Sequence, residues 1–140
     1  MTLFVLDASC VAAWLLPTQR TAASEQLSNE WVLHRGVAPF LLGFEVRSAL
    51  RKNERISRLS AEQTEARLAN YSLYGVTLME PPTDSELDQT LRLARSLDVT
   101  LFDAAYIELA QMMRAPLASR DEVQLAAARR LGVDVLDLRT

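Results

Sequence analysis

Apolar and polar positions along the chain change period repeatedly, and the changes mark out alternating strands and helices. Leu3-Phe4-Val5-Leu6 is a run of large apolar residues broken off by Asp7, the pattern of a strand buried on both faces in a parallel sheet. Val11 to Leu16 continue as a short apolar helix, stopped by Pro17. Thr21 to Leu33 read as a second helix with Ala22, Leu27 and Trp31 on its buried face, and Val37-Ala38-Pro39 as a short strand. From Leu41 to Arg55, Leu42, Val46, Ala49 and Leu50 make one apolar stripe at helical spacing.

The second half keeps the alternation. Ser60-Ala61-Glu62-Gln63 has the capping-box pattern and opens a helix to about Leu73, ended by Gly75. Val76 to Met79 is a strand, Pro81-Pro82 a turn, and Thr83-Asp84-Ser85-Glu86 a second capping box leading a helix to about Leu97. Leu101 to Met113 form a helix, Pro116 to Ser119 a strand, Glu122 to Leu131 a helix stopped by Gly132, and Val133 to Leu136 a last strand. There are no repeats, linkers or low-complexity tracts. Strands alternating with helices over 140 residues predict an α/β fold, a three-layer domain with a mainly parallel sheet, occupying 1–140 as a single domain.

Composition removes several kinds of chemistry. Cys10 is the only cysteine and His34 the only histidine, so disulfides, thiolate metal cages, Ser-His-Asp and Cys-His catalysis lose their support. The apolar N-terminus lacks a basic leader and carries Asp7 inside the stretch a signal peptide would need apolar, and no later run is long enough to span a bilayer. A soluble, cytoplasmic protein with no membrane association is expected. The net charge of −3 argues against a non-specific polyanion binder, although a local basic stripe can still hold a phosphate backbone.

Acids then converge on one edge of this skeleton. Asp7 follows the first strand and Asp121 the fourth, so both belong to the carboxyl edge of the sheet, where ligands bind in open α/β folds. Asp103 lies in the first turn of a helix that starts at that edge, and Glu45 borders the apolar stripe of its own helix. Each has a structural alternative. Asp7 can cap the helix that follows it, Thr100-Leu101-Phe102-Asp103 resembles a capping box, Asp121 can be an N-cap, and Glu45 can be a solvated helix residue. Clustered ionised acids repel and are normally kept by a bound cation, and oxygen-only ligands favour Mg²⁺ or Mn²⁺.

Leu6-Asp7-Ala8-Ser9, Glu45 within Pro39 to Leu50, Phe102-Asp103-Ala104-Ala105-Tyr106-Ile107-Glu108-Leu109-Ala110, and Ser119-Arg120-Asp121 followed by Leu125 and Gly132-Val133 together resemble the PIN-domain ribonucleases, and within them the VapC-like toxins of type II toxin-antitoxin pairs. The resemblance covers essentially the whole chain. It implies that Asp7, Glu45, Asp103 and Asp121 form the catalytic, metal-holding acidic quartet, with Ser9 as the small hydroxyl beside the first acid and Ser119 as a supporting residue. Ser119 stands where the family often has Thr, and Glu122 where a basic residue is frequent. The resemblance further implies a PIN-like sheet ordered 3-2-1-4-5, a homodimer, a small cognate antitoxin, and structured RNA such as tRNA or rRNA as substrate.

The chemistry expected of such a site is hydrolysis of a phosphodiester by metal-activated water, leaving a 3′-hydroxyl and a 5′-phosphate. Arg47, Arg51, Arg55 and Arg58 make one stripe opposite Leu42, Val46 and Ala49 if the helix persists to Arg58, either a solvated face or a track for RNA phosphates. Lys52 lies on nearly the same face as Glu45, where it could reach phosphate near the metal or pair with the acid. Two other classes are weighed. A haloacid-dehalogenase phosphohydrolase needs a second Asp two residues after the first, where this chain has Ser9; a nuclease-inactive PIN-fold interaction module remains, because fold does not imply activity.

Overall fold

The opening apolar run is a strand, β1 (Thr2–Leu6), and it lies at the middle of the sheet. The computed structural model describes residues 1–140. In chain order the elements are β1, α1 (Ala8–Leu15), α2 (Ala22–Asn29), β2 (His34–Ala38), α3 (Leu42–Arg55), α4 (Ala61–Leu73), β3 (Thr77–Leu78), α5 (Asp84–Leu97), α6 (Leu101–Met113), β4 (Leu117–Ser119), α7 (Glu122–Arg130) and β5 (Val135–Asp137). All strand pairings are parallel and the order is β3-β2-β1-β4-β5, as the family resemblance implied.

Successive residues of a strand face opposite sides of a sheet, so a central parallel strand has to be apolar at every position. Val5 and Leu117 enter the larger apolar cluster with Val11, Leu42, Val46, Leu50 and Ile107. Phe4, Leu6 and Ala118 enter the smaller one with Cys10, Trp14, Leu27 and Trp31. Helices thus cover both faces, giving three α/β/α layers. No helix is long and apolar enough to cross a membrane.

Both capping boxes form, with Ser60 and Gln63 opening α4 and Thr83 and Glu86 opening α5. Several boundaries move: α1 already starts at Ala8, β3 is confined to Thr77–Leu78, and two further shifts have a tertiary reason. The helix expected to reach Leu33 ends at Asn29, and Trp31–Leu33 turn as 3-10 helix, because Trp31 is drawn into the smaller cluster and donates its indole N–H to the Tyr74 carbonyl at 2.8 Å. β2 starts at His34 rather than Val37, since His34-Arg35-Gly36 pair with Thr2-Leu3-Phe4 despite their polar sequence. The last strand runs over Val135–Asp137 instead of starting at Val133. α3 ends at Arg55, Ser57 takes a left-handed φ of 60°, and Arg58 therefore leaves the arginine stripe.

Candidate functional site

Parallel pairing delivers the ends of β1 and β4 side by side. The Asp7 amide still donates to the Ala118 carbonyl at 3.0 Å, so the last ladder step sets the first acid beside Ser119. Asp7 is buried, at 7% exposure, and its carboxylate is compensated by four donors. Oδ2 accepts from the Ser9 amide at 3.1 Å, the Ser9 hydroxyl at 2.6 Å and the Ser119 hydroxyl at 3.3 Å, while Oδ1 accepts from Gln124 Nε2 at 3.1 Å. Asp7 is therefore both the N-cap of α1 and a member of the cluster. Of the two alternatives weighed for it in the sequence, the capping role is present.

The serines tie the strand ends together. Ser9 Oγ accepts from the Arg120 amide at 2.9 Å, and Ser119 Oγ accepts from the Asp121 amide at 3.0 Å. Asp121 caps α7, its Oδ1 accepting from the Gln124 amide at 2.9 Å. The Thr100 hydroxyl accepts from the Asp103 amide, but no reciprocal bond from the Asp103 side chain to the Thr100 amide closes a capping box. The Asp103 carboxylate instead accepts from Gln124 Nε2 at 3.5 Å.

Glu45 reaches the same region from the first turn of α3, where its Oε1 accepts from the Tyr106 hydroxyl at 2.8 Å. Burial, together with the charges of Asp7 and Asp103, raises the Glu45 carboxyl, and the Tyr106 hydrogen bond partly offsets the rise. Asp103 is raised by burial and by repulsion from Asp121 and Asp7. Burial and the charges of Glu45 and Asp7 push the Tyr106 phenol far above its ordinary range, which leaves it a permanent donor. The buried Cys10 thiol is also raised well up, by burial first and then by Asp7, and so is no nucleophile.

All four sequence-nominated acids are thus linked by hydrogen bonds or by mutual repulsion. No three of them close into a ready-made metal cage in this arrangement. The donor set nevertheless suits a hard divalent cation, being all oxygen and electrostatically strained without one. Tyr106 and Gln124 were not nominated from the sequence. Each stands three residues after a site acid, on the same helical face, and that spacing was the available signal.

The basic residues lie elsewhere on α3. Arg51, Lys52 and Arg55 line a shallow surface cavity with Ser48 and Ile56, and Arg51 also pairs with Glu54 at 3.0 Å. The Arg47 guanidinium turns back to the Gly43 carbonyl. Lys52 forms no ion pair with Glu45 or any other acid.

Against known families, the PIN domain model matches residues 4–130. The chain belongs to the PIN-domain family. PIN domains are usually nucleases and typically use divalent metal ions. Among solved structures, PAE2754 from Pyrobaculum aerophilum is similar with a TM-score of 0.75 and 22% identity, covering 99% of this chain and 90% of that one. FitAcB from Neisseria gonorrhoeae gives a TM-score of 0.63 at 14% identity, with coverages of 97% and 98%. A domain from Methanocaldococcus jannaschii gives 0.55 at 17%, with coverages of 100% and 93%. At these identities the likeness concerns the PIN fold. A search of curated proteins finds no match.

Proposed function

We propose that this PIN protein is a Mg²⁺- or Mn²⁺-dependent endoribonuclease, the toxin of a VapC-like type II toxin-antitoxin pair, acting in the cytoplasm as one PIN-like domain over 1–140. The observation that carries the reading is the meeting of Asp7 and Asp103, distant in sequence, on one Gln124 amide, with Glu45 and Asp121 within electrostatic reach. Asp7, Asp103, Glu45 and Asp121 would hold the cation. A bound divalent ion supplies an activated water and charge compensation on the phosphoryl oxygens.

The chain's own residues set the rest. Ser9 and Ser119 orient Asp7, and Tyr106 keeps Glu45 aimed and helps it stay ionised despite its burial. Arg51, Lys52 and Arg55 offer charge for RNA phosphates along α3, with Arg47 completing the stripe. With no second histidine and an inert cysteine, a His-pair or cysteine-nucleophile mechanism has no residues; with a metal-activated water as the nucleophile the products would be a 3′-hydroxyl and a 5′-phosphate. Structured RNA such as tRNA or rRNA is the proposed substrate. A second copy of the chain, as a homodimer, and a small cognate antitoxin are the proposed protein partners.

The test is incubation of the purified, partner-free protein with total cellular RNA, with Mg²⁺ and with EDTA, mapping the cut ends. Cleavage only with metal, leaving 5′-phosphates, supports the reading. Undiminished cutting in EDTA or cyclic phosphate ends overturn the mechanism. One other reading, a nuclease-inactive PIN module, stands because fold does not imply activity, and the same assay identifies it by intact RNA in Mg²⁺ and Mn²⁺.

A further inference from the structure

Gln124 is completely buried on α7, a helix whose other buried residues, Leu125, Ala127 and Ala128, are apolar. Burying an amide costs free energy unless its hydrogen bonds are made, and a leucine would fill such space without that cost. The Gln124 amide is only half satisfied. Its Nε2 donates to Asp7 Oδ1 at 3.1 Å and to Asp103 Oδ1 at 3.5 Å, while its Oε1 is buried with no partner. The opposite orientation would set a carbonyl oxygen against two carboxylates.

The amide nitrogen is therefore the one donor shared by the two acids. Its partial positive charge touches two carboxylates that repel one another, since Asp7 is, after Asp121, among the charges that raise Asp103. No hydrogen bond anchors the side chain at its carbonyl end, so the only hydrogen bonds that moving it breaks are the two from Nε2, one of them long. A cation taken up by these carboxylates competes for the oxygen lone pairs that Nε2 now uses.

Resting on the metal-site reading above, we infer that Gln124 is a positioning residue that holds Asp7 and Asp103 together when metal is absent and must be displaced by the divalent cation. The amide thereby keeps a strained pair of acids assembled, and it lowers metal affinity by competing for the site. A cation has to win the carboxylates from it.

The experiment compares wild type with Gln124→Leu, a change that keeps side-chain bulk and removes the competing donor. Mn²⁺ binding is measured by calorimetry on metal-stripped protein, alongside thermal melting with and without Mg²⁺. The Leu variant should bind Mn²⁺ about tenfold more tightly, the scale of one charge-assisted hydrogen bond no longer displaced. A merely space-filling Gln124 would leave metal affinity unchanged, and a direct ligand would give weaker binding in the variant; either result overturns the inference. A second measurement needs no variant. In wild-type protein the side-chain amide NMR signals of Gln124 should shift and lose protection from solvent exchange as Mg²⁺ is added, and signals that stay fixed at saturating Mg²⁺ overturn it even if the variant fails to fold. Wild type that binds neither ion overturns both this inference and the metal-site reading, whereas wild type that binds while the variant matches it overturns the role of Gln124 alone.

Discussion

Tyr106 on α6 donates its hydroxyl to Glu45 on α3 at 2.8 Å, joining two helices that are far apart in sequence at a carboxylate whose ionisation is opposed by burial and by Asp7 and Asp103. The phenol cannot reverse roles, because its own proton is held far more tightly than usual. The hydroxyl thus fixes the direction of Glu45 and favours its ionised form against the larger opposing effect of burial.

Tyr106→Phe should raise the Glu45 carboxyl further, since the hydroxyl is the one partner that lowers it. The acid limb of the pH dependence of RNA cleavage should move to higher pH, with a stability loss of about 1–3 kcal/mol for a half-buried carboxylate left without its donor. A pH-rate profile and thermal unfolding check both. An acid limb that does not move would show that Glu45 is not titrating in the reaction.

Asp103→Asn removes a charge that Asp121 and Asp7 repel. The metal-free variant should melt at the same or a higher temperature than wild type, yet lose most of the stabilisation given by Mg²⁺ and all but a trace of cleavage. No capping box closes at this helix start, so the opposing loss is confined to the Thr100 side-chain contact and the favourable position of a negative charge in the first helical turn. A destabilised variant with a wild-type metal response would remove Asp103 from the site.

Metal-free stability should also depend on pH in a defined direction. Glu45 and Asp103 have folded-state proton affinities above their ordinary values, so the folded state binds protons more readily than the unfolded one. Their contribution is fully present below the ordinary carboxylate range and is lost as pH rises through the raised values. Asp137, held down to about 2 by Arg139, has the opposite sign, as do Glu54 and Glu86: their stabilisation is fully present above the ordinary carboxylate range and is lost only as pH falls below it. Melting temperature in EDTA should therefore rise as pH falls from neutral toward the ordinary carboxylate range, and the rise should shrink in Asp103→Asn. A flat profile in wild type would contradict the repulsion.

Reversing Arg47, Arg51 and Arg55 to Glu should weaken RNA binding and flatten its dependence on salt, because fewer counterions are released. All three side chains are exposed, so the fold should survive, as circular dichroism can verify. Binding with an unchanged salt slope would leave the stripe a solvated face.

Gly36→Ala tests the packing of the smaller apolar cluster against β2. A Cβ there would meet Leu6 Cδ1 and Trp31 Cζ2 at 2.8 Å, so the smaller core has to shift at a cost of about 1–3 kcal/mol. Thermal unfolding should show a lower melting temperature, and an unchanged one would mean that Trp31 yields freely.

The linear pattern by itself determined the alternation of elements and the residues that end strands or start helices at the carboxyl edge. Those features are local: an apolar run that stops at Asp7, capping boxes at Ser60 and Thr83, and glycines at Gly75 and Gly132 act over a few residues each. Tertiary structure decided what depends on neighbours distant in sequence. His34-Arg35-Gly36 form a strand only because β1 pairs with them, and Trp31 leaves its helix only because Trp14, Phe4 and the Tyr74 carbonyl receive it. In the same way Tyr106 and Gln124 look, in sequence, like ordinary residues of apolar helices. Their polar atoms acquire meaning when α3, α6 and α7 bring Glu45, Asp103 and Asp7 within hydrogen-bonding distance, since a buried donor is defined by what it faces.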